Sequence, residues 1–82
     1  MNEAILRELD KLLPVVERVH GGSHPELHQA AVLYRALKEA PSAALFQELR
    51  QVTADYAVPE DACQAYAKTY GLLARLDEDF FR

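Results

Sequence analysis

Nine residues, Val19-His20-Gly21-Gly22-Ser23-His24-Pro25-Glu26-Leu27, constrain this chain more than any other stretch. They hold two of its three glycines and two of its three histidines, and the third histidine, His28, follows at once. A glycine pair weakens a helix, and a proline restricts the residue before it to extended backbone. To the left, Leu6, Leu9, Leu13, Val16 and His20 recur at three- and four-residue steps, flanked by Ile5, Leu12 and Val19. To the right, Leu27, Ala30, Ala31, Tyr34 and Leu37 repeat the same period. Both are amphipathic helical patterns. The chain must therefore turn a helix-to-helix corner here, and the corner carries imidazoles. His20 lies on the apolar stripe and is expected to face the interior or a partner.

The remaining punctuation divides the chain into four helices. Asn2 is a suitable N-cap, and Glu3 suits the positive end of a helix dipole. The first helix is predicted over 3–20, with Pro14 kinking or restarting it. Gly21-Gly22 would end it in the left-handed conformation. Ser23 and Glu26 have capping-box spacing, which predicts a second helix over 24–39. Ala40-Pro41-Ser42 breaks the pattern, and a third helix over 42–54 follows with Leu45, Leu49, Val52 and Tyr56 on its stripe. Pro59, with Glu60 and Asp61 behind it, is expected to open a fourth helix over 59–81. Ala62, Tyr66, Thr69, Tyr70, Leu73, Leu76 and Phe80 make its buried side. Gly71 costs about 1 kcal/mol against alanine in mid-helix, which suggests close packing there. Asp77, Glu78 and Asp79 sit where the dipole disfavours them, and Phe80 and Phe81 follow, so the helix reads as one that continues. No strand pattern and no repeat occurs. The prediction is one domain over 1–82: an all-α, small antiparallel four-helix bundle.

Composition limits the partners. The formal net charge is −4, with Lys and Arg scattered singly, which argues against nucleic acid. Apolar runs are too short for a membrane span, and the acidic start lacks the character of a signal peptide. Cys63 is the only cysteine and has no internal disulfide partner, as expected of a soluble cytoplasmic protein. A domain of 82 residues has a thin stability margin, and Phe80 and Phe81 lie near its end. A homo-oligomer or a complex with a partner protein is therefore expected.

Chemistry-bearing residues are few. His20, His24 and His28 are spaced by fours, which on one unbroken helix would align metal ligands. The corner interrupts that helix, so spacing places His20 at the core corner and His24 and His28 in a solvated first turn, with a metal site as the alternative. Glu17, Glu26, Glu48 and Asp55 could complete such a site, or be solvated. Cys63 is expected to be a small buried residue near a helix start, a reactive thiol being the alternative. No phosphate-binding loop, nucleophile elbow or CxxC motif occurs, and turnover of its own is not expected.

Two stretches resemble a known family. Tyr56-Ala57-Val58-Pro59-Glu60-Asp61-Ala62-Cys63, preceded by Leu49-Arg50-Gln51-Val52-Thr53, is similar to a signature of the RIC proteins, the hemerythrin-like di-iron proteins of iron–sulfur cluster repair. Leu76-Asp77-Glu78-Asp79-Phe80-Phe81 resembles the continuation, and Val19-His20-Gly21 with His24-Pro25 resembles that family's Val-His-Gly and His-Pro segment. The resemblance implies a four-helix bundle, iron as cofactor, His20 as a metal ligand and His24 as a second candidate. It also implies gaps. The family's ligand histidine before the third helix is replaced by Lys38-Glu39-Ala40-Pro41-Ser42, and its His-x-x-x-Glu pair would begin where this sequence ends, at Arg82. The expectation is a truncated RIC-like protein linked to iron–sulfur cluster repair or iron handling, without a complete di-iron site. A metal-free helical adaptor or dimerisation module is the alternative.

Overall fold

The computed structural model describes residues 1–82 and contains four helices: α1 (Glu3–His20), α2 (Glu26–Glu39), α3 (Ala43–Thr53) and α4 (Gln64–Phe80). They form the expected small all-α bundle. α1 packs on α4 and on α2, and α2 packs on α3. No helix is long and apolar enough to cross a membrane.

The start of α1 is capped as its sequence suggests. The Asn2 Oδ1 accepts from the Ala4 and Ile5 amides at 2.9 and 3.2 Å. Pro14 neither divides nor restarts the helix, which is continuous from Glu3 to His20. The burial of Leu9, Leu13 and Val16 on either side of Pro14 holds it together at the cost of a backbone hydrogen bond. α2 contributes Leu27, Ala30, Ala31, Leu33, Tyr34 and Leu37 to the core, and α4 contributes Tyr66, Tyr70, Leu73 and Leu76.

The corner turns differently from its sequence pattern. Gly21 is right-handed, at φ −60° and ψ −26°, and no glycine has a positive φ. Ser23 makes no capping box; Pro25 stands at the N-cap position with no side-chain cap, so α2 starts at Glu26. The His20 carbonyl holds the turn by accepting from the Ser23 and His24 amides at 3.1 and 2.8 Å. Gly21 is required by crowding. A Cβ there would collide with the Glu17 carbonyl and come within 2.8 Å of the His28 ring. Gly71 faces open space, so no close packing explains it.

The largest departure lies between α3 and α4. α4 begins at Gln64, not at Pro59; one hydrogen-bonded turn, Ala62 N–H to the Pro59 carbonyl at 3.1 Å, precedes it, and Cys63 is extended. Ala54, Asp55 and Tyr56 occupy three successive left-handed positions, at φ of 52°, 57° and 63°. Backbone and side-chain bonds hold this run: the Asp55 amide donates to the Arg50 carbonyl at 2.8 Å, and the Tyr56 amide to Thr53 Oγ1 at 3.0 Å. In α3 the buried positions are Phe46, Leu49 and Thr53, whereas Leu45 and Val52 are only partly buried.

The acidic end of α4 is compensated by side chains. Asp77 accepts two bonds from Arg50, at 2.7 and 2.6 Å, and one from the Tyr56 hydroxyl at 2.7 Å. Burial pushes the Asp77 carboxyl up, but Arg50 and Tyr56 outweigh it and hold it below the usual range. Glu78 pairs with Arg82, and Asp79 with Arg75. Phe80 and Phe81 pack on Phe46, with ring centroids 5.0 and 6.1 Å away, yet remain 37% and 51% exposed.

Candidate functional site

The corner and the segment before α4 meet. His20, the last residue of α1, places its Nε2 3.3 Å from Cys63 Sγ. His24, in the turn, donates from Nε2 to both Asp61 carboxylate oxygens at 3.0 Å, while its Nδ1 lies 3.6 Å from Glu26 Oε2. Both imidazoles stand edge-on to Tyr66, with centroids 5.1 and 5.6 Å away. Tyr66 is fully buried, and its ring also meets that of Tyr70 edge-to-face at 5.0 Å.

The sequence places these groups correctly only in part. His20 is half-buried, as its stripe position implies. His24 is not a freely solvated first-turn residue: its side chain is only 17% exposed and sits between two carboxylates. Cys63 is exposed rather than buried, and it has a histidine beside it. His28 turns away from this cluster; its Nδ1 lies 2.8 Å from Glu17 Oε2, with the ring against Gly21. Glu17 therefore joins His28, and of the four candidate carboxylates only Glu26 reaches the corner, while Glu48 and Asp55 make no contact with it. Asp61 and Cys63 were inaccessible to spacing arguments because they lie 37 and 43 residues from their partners. The one signal that points to them is the Tyr-x-x-Pro-x-x-Ala-Cys stretch containing both.

The electrostatics follow the geometry. The hydrogen bond to Asp61 raises the His24 pKa above its ordinary 6.5, against some loss from burial, and Glu26 adds to the rise. In turn His24 holds the Asp61 carboxyl below its ordinary 3.8. Burial raises Tyr66; the neighbouring Tyr70 hydroxyl opposes this, and Glu26 and Asp61 add to the rise. The Tyr66 hydroxyl is buried without a hydrogen-bond partner.

This arrangement makes two contacts across the corner: the His20 imidazole lies beside the exposed Cys63 thiol, and the His24–Asp61 pair links the turn to the α3–α4 connection. His20 and His24 each direct Nε2 at a separate partner, and no three His, Cys, Asp or Glu side chains are grouped to hold a metal ion. No family model matches the chain, and neither a curated protein nor a solved structure matches it.

Proposed function

We propose that the chain is a RIC-like helical protein linked to iron–sulfur cluster repair or iron handling, acting without a complete di-iron site of its own. One observation carries this reading. The two segments that bear the resemblance, Val19 to Leu27 and Tyr56 to Cys63, are far apart in sequence and meet at one corner through His20–Cys63 and His24–Asp61. The donor set does not fit a di-iron centre within one chain. Two imidazoles committed to a thiol and a carboxylate fall short of the several histidines and bridging carboxylates that two irons need. A weaker metal site on His20 and His24 requires both rings to leave these partners and a second copy to supply the missing donors.

Anaerobic iron(II) loading of the full chain, followed by metal analysis of wild type and His20→Ala, tests the reading. The expected result is less than stoichiometric iron in the wild type, lost in the variant, with helicity retained in both. The full complement of a di-iron centre in the wild type overturns the incomplete site. No iron in either protein overturns the iron-handling reading.

A second reading, a metal-free helical adaptor or dimerisation module, draws on a different observation. Val15, Val19 and Val32 are 42%, 64% and 56% exposed, adding to the open faces of Phe80 and Phe81. Apolar surface of this kind suits a helical partner or a second copy. Sedimentation velocity should then show mass rising with concentration; a monomer at every concentration counts against self-association.

A further inference from the structure

The connection between α3 and α4, residues 54–63, is thinly anchored. None of its residues is fully buried, and of its side chains Tyr56 and Ala62 pack against the core. Segments with few buried apolar contacts open at lower free energy than the whole fold.

The connection begins in a conformation that its residues resist. Ala54, Asp55 and Tyr56 are left-handed in succession. Aspartate tolerates this, but the Cβ disfavours it for alanine and tyrosine. The run is held from both neighbouring helices. From α3, Thr53 Oγ1 donates to the Leu49 carbonyl at 2.8 Å and accepts from the Tyr56 amide at 3.0 Å. From α4, the Asp77 carboxylate accepts the Tyr56 hydroxyl at 2.7 Å and both bonds from Arg50. The Asp77 side chain is only 8% exposed, and Arg50 also lies 4.9 Å from the Phe81 ring centroid. One buried carboxylate thus ties α3, the left-handed turn and α4 together.

The far end of the connection carries Asp61 and Cys63, whose side chains meet His24 and His20. Asp61 and Cys63 are both exposed, and contacts of exposed polar groups bind weakly. They depend on the near end to deliver the chain to the corner.

We infer that residues 54–63 form a strap that opens as one unit, latched by the Tyr56–Asp77–Arg50 clasp, and that its opening frees His20 and His24 from Cys63 and Asp61. A metal site on His20 and His24 needs both rings free, so the strap is its gate; this last step rests on the iron-handling reading, whereas the opening does not.

Native-state amide exchange of the ¹⁵N-labelled full chain, with no metal added, tests the strap. The amides of Asp55, Tyr56, Ala57 and Ala62 are hydrogen-bonded to the Arg50 carbonyl, Thr53 Oγ1, the Ala54 carbonyl and the Pro59 carbonyl. They should exchange through one common opening, faster than amides in the middle of α1 and α2. Tyr56→Phe keeps the ring and removes one bond to a buried carboxylate, so these four amides should exchange about ten- to a hundred-fold faster. Ala54→Gly takes the left-handed conformation without strain and should slow them about two- to five-fold. Gly71→Ala supports α4, which stays folded when the strap opens. It should slow exchange in α1 and α2 by up to about five-fold and leave the strap amides unchanged. Diethyl pyrocarbonate, which modifies accessible neutral imidazoles, reads the corner. Site-resolved mass spectrometry separates His24, with a side chain 17% exposed, from His28, at 59%. In Tyr56→Phe the modification of His24 should quicken and that of His28 should not. Unequal opening free energies among the four amides, or no acceleration in Tyr56→Phe, overturn the strap. Equal slowing of strap and helices by Gly71→Ala shows that only global unfolding opens it, and refutes it as well. Faster amides with unchanged His24 refute the link to the corner. With no metal present, none of these results depends on whether iron binds.

Discussion

Replacing Tyr66 by phenylalanine should make the protein more stable. The Tyr66 hydroxyl is the one buried side-chain polar atom without a hydrogen-bond partner, in a residue of zero exposure. The Tyr70 ring is close, with centroids 5.0 Å apart, but no hydrogen bond joins the two hydroxyls. A hydroxyl buried without a partner costs about 1–3 kcal/mol. Removing it leaves the ring and its edge contacts with His20, His24 and Tyr70 in place. The small void left behind, at about 24 cal/mol per Å³, takes back only a few tenths of a kcal/mol. The expected net gain is about 1 kcal/mol, or a rise in Tm of about 4–8 °C for a domain of this size. Urea unfolding followed by far-UV circular dichroism measures it. Tyr34→Phe is the matched comparison. The Tyr34 hydroxyl is satisfied by the Leu6 carbonyl at 3.0 Å and Asp10 at 2.8 Å, so its loss should cost about 1 kcal/mol. If Tyr66→Phe destabilises as much as Tyr34→Phe does, the Tyr66 hydroxyl has a partner and the reasoning fails.

Three further outcomes are expected. The His24 pKa is raised, chiefly by Asp61, so the pair's contribution is complete below the unfolded value near 6.5 and disappears as pH rises through the higher folded value; at the acid end it is lost again as Asp61 protonates below its lowered value. The Tm of wild type should therefore fall across neutral pH relative to His24→Gln, and parallel curves for the two would contradict this. Gly71→Ala should stabilise by up to about 1 kcal/mol, because its Cβ meets nothing, whereas Gly21→Ala should destabilise, because its Cβ meets the Glu17 carbonyl and the His28 ring; equal effects in urea melts would count against the crowding at the corner. Ala54→Gly should stabilise by about 0.5–1 kcal/mol by relieving a left-handed alanine at the end of α3, and a loss of stability would show that the alanine is not strained.

Helix number and the core faces of α1, α2 and α4 were legible because Leu, Tyr and Ala recur at helical period between clear breaks. Boundaries set by side-chain contacts over distance were not. Pro59-Glu60-Asp61 has the composition of a helix start, yet the bond from His24 to Asp61 ties that turn to the corner, and α4 begins only at Gln64. Ser23 and Glu26 have capping-box spacing, but Glu26 lies toward His24 and Pro25 takes the cap position. Phe46 escaped the stripe of α3 because Leu45, its neighbour, fits the same period and is only partly buried. The dipole argument against Asp77 was sound locally and was outweighed by Arg50 and Tyr56, which belong to other segments. At the site, His20 could be turned inward from its stripe position, whereas its pairing with Cys63 depends on how α1 lies against α4, which no local pattern encodes.

Central to all of this is the corner, where the Tyr66 ring touches two imidazoles and each imidazole holds a residue of the segment before α4. Nuclear Overhauser spectra of the full chain test this most directly. The Tyr66 ring protons should show cross-peaks to the ring protons of both His20 and His24, with His20 also connected to the Cys63 β-protons, as centroid distances of 5.1 and 5.6 Å and the 3.3 Å Nε2–Sγ separation require. Cross-peaks from Tyr66 to neither histidine, in a chain that retains its helices, would contradict the corner and remove the observation on which the proposed function depends.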